Sequence, residues 1–389
     1  MYRVSRLGEL LEVSFRHRFD ALVEQHNADK YAKKYSRWDQ FMAMFCAQLQ
    51  GITSLRVLTD SLQALSNYHY HLGAQPMGRS SLADANQRDP AVFAAVAQML
   101  MPQVGRKLRK ESHKALIRID STSITLKGQG FDAWTLDTRN RCTQGMKLHV
   151  ALDDADMPVH QSITAANVND VTEGTKIPIE RGMTYVFDKA YCDYSWWHSI
   201  HQGGAWFVTR PKNNAVLKVE QTLPIPQANQ SRILADEIVR LSNNNPGAGR
   251  KNPFKARLRR ITVQKDNGDT LMLISNDLER SAAQIAACYQ QRWDVELFFK
   301  WIKQHLNIKH YLGRSPNAVR TQLLIALIVY LLVALLKHRT KTDQTLWHFL
   351  AVLRATLFQR PQLDVDMRRR RALEAAEQEA RQPQLADWK

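Results

Sequence analysis

Two short apolar β runs, each closing on an aspartate, restrict this chain more than any other feature. Ala115-Leu-Ile-Arg-Ile-Asp120 and Met183-Thr-Tyr-Val-Phe-Asp188 have the residue types and lengths of strands. Between them, Met146–Leu152 and Val159–Thr164 also read as strands, turning through Asp153-Asp-Ala-Asp156. A helix is expected around Tyr194–Gln202 and a further strand at Ala205–Thr209. Together they predict a mixed α/β core. An aspartate at a strand end can project from the sheet edge. More often it caps the following turn, so neither acid is decisive alone.

The flanks have a different texture. Residues 1–100 read as helical: Ser36 opens a segment with Phe41, Met42, Phe45 and Leu49 at helical spacing, and Gly51 closes it. Ser54 can cap a second helix through Leu65, a third starts near Ser80-Ser81, and a fourth follows Pro90. Short helices on tight turns suit either a helix-turn-helix DNA reader or a plain bundle. Residues 210–256 carry five prolines and Ser242-Asn-Asn-Asn-Pro-Gly-Ala-Gly249. Strands resume at Leu258–Gln264 and Leu271–Ser275, with Asn267-Gly268 as a hairpin turn. A long helix is expected from Ser281, then helices at Ala318–Lys337 and Thr345–Arg360, and a charged tail that is frayed helix or disordered. The divisions are therefore 1–110 helical and DNA-binding, 111–209 first part of the core, 210–275 basic β-rich insertion, 276–337 core helix and a buried helix, and 338–389 C-terminal helical region and tail.

Composition enters through charge. The net charge is +17. Residues 104–118, 210–260 and 286–320 carry +5, +8 and +4, and so account for all of it. Each stretch alone could be a solvated face, but two of them border or contain candidate site residues. A polyanionic partner is expected, and nucleic acid is the commonest one. The four cysteines form no CxxC pair, which argues against disulfides and a thiolate zinc site and fits a reducing cytosol. The N-terminus lacks the apolar core of a signal peptide, and the Leu323–Leu336 run is short for a membrane span, so a cytoplasmic, nucleoid-associated protein with no membrane partner is expected.

Glu296 is sharper because of its neighbours. Tyr289, Arg292, Glu296 and Lys303 fall within roughly 60° of one helix face at about 100° per residue. Leu297, Phe298 and Trp301 supply an apolar side for packing. The bland alternative is an Arg–Glu surface pair at i,i+4. The sharper one is an acid that holds metal while cationic neighbours grip phosphate. Phosphodiester cleavage is served by two Mg²⁺ ions about 3.5–4 Å apart, and such hard cations want carboxylate oxygens.

Tyr289-x2-Arg292-x3-Glu296-x6-Lys303 resembles the Tyr-Arg-Glu-Lys signature of DDE transposases, in particular the insertion-sequence-four branch from bacteria. Ile119-Asp-Ser-Thr122 resembles the family's first-acid motif and Val186-Phe-Asp-Lys-Ala-Tyr191 its second; the likeness runs from about residue 114 to 335. Leu7–Phe15 is similar to the N-terminal module of many such transposases. The resemblance implies a ribonuclease-H-like core interrupted by a β insertion. It also implies double-stranded DNA as partner, both inverted-repeat ends and target, cut-and-paste movement of an insertion sequence, and a homodimer holding two ends. By motif match it implies Asp120, Asp188 and Glu296 as ligands of Mg²⁺ (with Mn²⁺ substituting), and Tyr289, Arg292 and Lys303 as DNA-end contacts. The alternatives are a non-mobile nuclease on the same core and an inactive DNA-binding derivative. Hairpin-forming relatives are expected to stack a flipped base on an insertion Trp. Here Pro211–Cys288 holds no Trp or Tyr, leaving Trp206, Tyr289 and Trp293 as candidates.

Overall fold

The structure is a computed structural model that describes residues 5–359, apart from 12, 67–71, 109–114, 227–231, 243–250, 307 and 309. The tail from residue 360 onward, with its Arg368–Arg371 run, lies outside the described residues, as do Arg250 and most of the Asn-Pro-Gly stretch.

The helices and strands, in chain order, are α1 (Arg6–Leu10), α2 (Val13–Gln25), α3 (Arg37–Gln50), α4 (Leu55–Ala64), α5 (Arg79–Ala85), α6 (Ala91–Leu108), β1 (Leu116–Thr125), α7 (Asp132–Thr135), β2 (Gly145–Leu152), β3 (Pro158–Ala165), α8 (Asp170–Gly174), β4 (Thr184–Phe187), α9 (Tyr194–Gln202), β5 (Trp206–Thr209), β6 (Leu217–Thr222), β7 (Ile233–Leu241), β8 (Leu258–Gln264), β9 (Thr270–Ser275), α10 (Ala282–Gln290), α11 (Trp293–His305), α12 (Pro316–Arg339) and α13 (Leu346–Thr356). A short 3₁₀ turn, Lys189–Tyr191, follows β4.

One nine-stranded sheet runs β3-β2-β1-β4-β5-β9-β8-β7-β6. β1, β2 and β3 are antiparallel, whereas β4 and β5 lie parallel to β1. From β9 onward the sheet is an antiparallel meander, joined to β5 through Val208↔Ser275 and Thr209↔Ile274. The stretch expected as a β insertion therefore extends the same sheet. Its first two strands, β6 and β7, are hidden in the sequence by their charges. Asp236 on β7 is buried only because Arg259 on β8 pairs with it at 2.5 Å.

β1 does not stop at Asp120 as its apolar run suggested. It continues through Ser121-Thr-Ser-Ile-Thr125, paired with Gly145–His149 of β2. The two continuing threonines and the isoleucine are β-branched and favour strand, and the antiparallel partner supplies the ladder. Asp188 does lie just past the end of its strand.

The helical regions behave as sequence periodicity indicates. Ser36 and Asp39 form a reciprocal capping box on α3, and Gly51 ends that helix at φ 74°. Phe15, Phe19, Trp38, Phe41, Phe45 and Phe93 pack ring on ring. α12 is buried from Leu323 to Leu336, so its apolar run is a core helix. The N- and C-terminal regions, separate in the sequence division, share one hydrophobic core with β2 and α11. Arg6 N and Leu7 N even donate to the carbonyls of Gln359 and Leu357.

The helix expected to run unbroken from Ser281 is two. Ser281 caps α10 with a capping box on Gln284, and the chain breaks at Gln291-Arg292 before α11 begins. Turns of the i→i−3 kind bridge the break: Arg292 N to Tyr289 O, and Asp294 N to Gln291 O.

Candidate active site

Three acids predicted from sequence arrive from three elements. Asp120 is on β1, Asp188 follows β4, and Glu296 sits in the first turn of α11. Two arginines join them. Arg292 donates from Nη1 to Asp120 Oδ2 at 3.1 Å and from Nη2 to Glu296 Oε1 at 2.7 Å. Arg210 grips Asp188 Oδ1 through Nε at 2.9 Å and Nη2 at 2.7 Å.

Electrostatics separates the acids. Burial pushes the Asp120 carboxyl up to about 6, and nearby Glu296 and Asp188 add to it, against the Ser121 amide and Arg292. Burial also acts to raise Asp188, but the Lys189 amide and Arg210 outweigh it and hold that carboxyl below its ordinary range. Burial disfavours the charge on Arg292, yet its hydrogen bond to Glu296 keeps the guanidinium above its usual value. An acid that resists ionisation beside two other acids is a place where a cation is welcome.

The four-residue stripe is not one face of one helix. The break before α11 puts Tyr289 at the end of α10, with its ring in the core formed by Leu116, Val186, Val208 and Ile285. Tyr289 is 5% exposed, and burial first of all pushes its hydroxyl up to about 12. The Arg292 guanidinium stands 5.9 Å from the Tyr289 ring and 5.2 Å from the Trp293 ring. Glu296 is more open, with 39% of its side chain exposed. Lys303, in the last turn of α11, donates to Thr122 Oγ1 at 2.5 Å, two residues along β1 from Asp120. Packing of α11 falls on Val295, Phe298, Phe299 and Ile302; Leu297, expected to pack, is 62% exposed.

Two partners escaped sequence reading. β4 and β5 are parallel with Val186 opposite Val208, so Asp188 and Arg210 leave their strands at matching positions. That register is the only signal that could have singled out Arg210. Arg118, 2% exposed on β1, bonds Asp294 of α11 at 2.6 Å, Asp156 at 2.8 Å and the carbonyl of Asp153. It pins the strand of Asp120 to the helix of Glu296. Trp206 lies at the opposite end of β5 from Arg210, under the guanidinium of Arg280, and so is remote from the acids. Trp293, by contrast, is 59% exposed beside Arg292.

The basic insertion is less free than its composition suggested. Glu220 takes Arg240 and Arg257, Asp236 takes Arg259, and Glu237 takes Arg260. Among the described residues of this stretch, Lys212, Lys218, Lys251 and Lys255 have no ion pair.

As they stand, no three His, Cys, Asp or Glu side chains among the described residues converge closely enough to hold a metal ion. The reason at this site is visible: the Arg292 guanidinium occupies the space between Asp120 and Glu296. The donor set itself is all carboxylate oxygen, the choice of a hard divalent cation, and the Arg292 side-chain cation bridges two of the three acids.

Residues 111–332 match the Transposase DDE domain, and residues 5–75 match a domain of unknown function, DUF4372. A Sinorhizobium fredii protein named as a candidate transposase, y4zB, is 42% identical over 73% of this chain and 78% of its own. A Geobacillus stearothermophilus protein, assigned as the transposase for insertion sequence element IS5377, is 30% identical over 64% of both chains. The piggyBac transposase, from a cryo-EM synaptic complex with hairpin DNA, superposes with a TM-score of 0.47 at 13% identity, over 98% of this chain and 83% of that one. That likeness is too distant to bear on the site.

Proposed function

The chain belongs to the DDE transposase family, and from that premise we propose that Asp120, Asp188 and Glu296 are the carboxylates that hold its divalent metal, Mg²⁺ with Mn²⁺ as a substitute. It is a transposase, an enzyme that cleaves DNA and transfers the cut strand. The reading extends to cut-and-paste movement of an insertion sequence, with inverted-repeat ends as substrate and a homodimer holding two of them.

The observation that carries this is the convergence of three acids, from three separate elements, on two arginines. The order β3-β2-β1-β4-β5, antiparallel then parallel, supports a ribonuclease-H-like core. On that reading β6–β9 are its insertion, with domain limits near 110, 209, 275 and 337. The Tyr-Arg-Glu-Lys spacing supports the insertion-sequence-four branch.

Bound divalent ions supply an activated oxygen nucleophile and stabilise charge on the leaving oxygen. The chain's own residues supply the rest. Asp120 and Asp188 are fixed by the sheet, whereas Glu296 rides on α11 and is the most open of the three. Arg292 presents a planar fork suited to phosphate oxygens, and Lys303 a point charge beside Thr122. Tyr289 is assigned to the DNA end through Arg292, since its burial favours a supporting place under that guanidinium.

The test uses labelled DNA carrying the inverted-repeat ends that flank the chain's own reading frame. With Mg²⁺ the parent should yield strands joined to target. Cleavage without joining would indicate a nuclease, and a gel shift without cleavage an inactive binder. Asp120→Ala, Asp188→Ala and Glu296→Ala should each abolish cleavage and keep end binding. A variant that cleaves near the parent rate removes its residue from the site.

A further inference from the structure

The face of β1, β2 and β3 opposite α11 is apolar at Ile117, Ile119 and Ala151 but turns polar beyond them. Ser121 and His149 are register partners on β1 and β2, and Ser162 is the partner of His149 on β3. Lys147 lies two residues before His149, and α8 closes over the group with Asp170. All of these are outside the acids and arginines described above.

Asp170 is the hub. Its Oδ1 accepts from Ser121 Oγ at 2.9 Å and from Lys147 Nζ at 3.1 Å, and His149 Nδ1 stands 3.6 Å away. Lys147 Nζ also donates to the Val168 carbonyl at 2.6 Å, so the cation is tied to the loop that carries α8. Burial holds His149 down at about 4, which leaves Lys147 as the cation facing Asp170. His149 instead shares a hydrogen bond of 2.9 Å with Thr164 Oγ1.

Ser121 is the link to the candidate metal site. Its backbone amide donates to Asp120 Oδ1 at 2.8 Å, while its hydroxyl goes to Asp170. Pairing of β1 with β4 ends at Ile119↔Phe187. From Asp120 onward β1 is held on one side only, by β2. A strand held on one edge can twist, and a twist at Ser121 would swing the Asp120 carboxylate. The hydroxyl bond to a lysine-anchored Asp170 supplies the missing restraint.

We propose that Ser121 and Asp170 are positioning residues for Asp120: Asp170, anchored by Lys147, holds the Ser121 hydroxyl so that the Ser121 amide fixes Asp120 Oδ1 and leaves Oδ2 for the cation. This rests on the reading of Asp120 as a metal-holding acid. Partners that orient a metal-binding carboxylate typically change affinity or activity by about 10–100-fold when removed.

The experiment measures Mn²⁺ occupancy of the DNA-free protein by electron paramagnetic resonance, beside cleavage of end DNA. Ser121→Ala, Asp170→Ala, the double variant, Ser121→Thr and Asp120→Ala are compared, with gel-shift affinity and thermal melting as controls. Ser121→Ala and Asp170→Ala should each raise the Mn²⁺ concentration for half occupancy about tenfold and slow cleavage, with end binding unchanged. The double variant should be no worse than the worse single, because both remove one link. Ser121→Thr, which restores a hydroxyl, should recover most of the loss. Ser121→Ala with Mn²⁺ affinity and cleavage within twofold of the parent would overturn the proposal, as would penalties that simply add. If Asp120→Ala leaves Mn²⁺ binding intact, the three-acid reading fails. If Asp120→Ala abolishes it while Ser121→Ala is normal, only the positioning link fails.

Discussion

Replacing Arg118 with Met tests how the sheet and the α11 helix are locked together. Arg118 is 2% exposed and spends its guanidinium on Asp294, Asp156 and the Asp153 carbonyl. Breaking a buried ion pair by removing one partner ordinarily costs about 3–5 kcal/mol, because a charge is left buried and unpaired. The acids here are better placed: Asp294 and Asp156 keep 38% and 55% of their side-chain surface in solvent, so water can take over part of the arginine's role. The buried Asp153 carbonyl loses the guanidinium but keeps the Asp156 amide, which donates to it at 3.1 Å. Methionine retains most of the apolar stem. The expected loss is therefore below the usual range, about 2–3 kcal/mol, most of it from the absence of the guanidinium's charge-assisted bonds. Urea unfolding followed by far-ultraviolet circular dichroism at pH 7 reads it, with Asp294→Asn expected to cost less than half as much. Because Arg118 joins the element of Asp120 to that of Glu296, cleavage at saturating metal should fall as well, more than unfolding alone explains. An Arg118→Met protein as stable as the parent or more stable would refute the reasoning. It would mean that burying this guanidinium costs as much as its three partners return.

Three further outcomes follow from the ion pairs and buried groups. Arg210→Ala leaves burial of Asp188 opposed only by the Lys189 amide and the charge of Arg292, so the Asp188 carboxyl rises and the acid limb of the cleavage pH profile moves to higher pH; an unmoved limb would show that Arg210 does not hold that charge. His149 is kept neutral at about 4 against an ordinary value near 6.5, so its contribution is complete above pH 6.5 and is lost as pH falls through the window from 6.5 to 4, up to about 3 kcal/mol at the acid end. Urea unfolding of parent and His149→Gln at pH 5 and 7.5 should show the flatter dependence in the variant, and equal slopes would exclude His149 as its source. Neutralising Lys212, Lys218, Lys251 and Lys255 together should flatten the salt dependence of end binding, by about 0.9 in the log–log slope for each DNA phosphate that no longer meets a lysine. Neutralising Arg259 instead should destabilise the fold, because it strands buried Asp236, and a salt slope that responds to Arg259 but not to the lysines would reverse this assignment.

The apolar strands, the capping signals and the three acids are legible in the sequence because each is a local pattern. Ser36 with Asp39, Gly51, and Ser281 with Gln284 are complete instructions within a few residues. The continuation of β1 is illegible because Ser121-Thr-Ser reads as polar until β2 is laid beside it. β6 and β7 are illegible for a related reason: Glu220, Asp236 and Glu237 look like solvent-facing charges, and only pairing with arginines on neighbouring strands makes their strands stable. The break before α11 is invisible because Gln291 and Arg292 are both good helix formers, so nothing local marks the i→i−3 turns that separate α10 from α11. The same long-range logic hides Arg210 and Arg118, whose partners lie 22 and 176 residues away along the chain.

The closure of α1 on residues 357–359 sets the order in which the helical layer can be completed. The first helices, with their six-ring aromatic cluster, emerge from the ribosome first, yet the helix they pack against is α12 and the residues that hold α1 are Leu357 and Gln359. Their partners arrive some three hundred residues later, so this layer cannot be finished until residues 316–359 have been made. Until then its apolar face is open to chaperones and proteases. A copy truncated before Pro316 would leave that face permanently uncovered and be cleared, rather than persist as a binding fragment that competes for the element's ends.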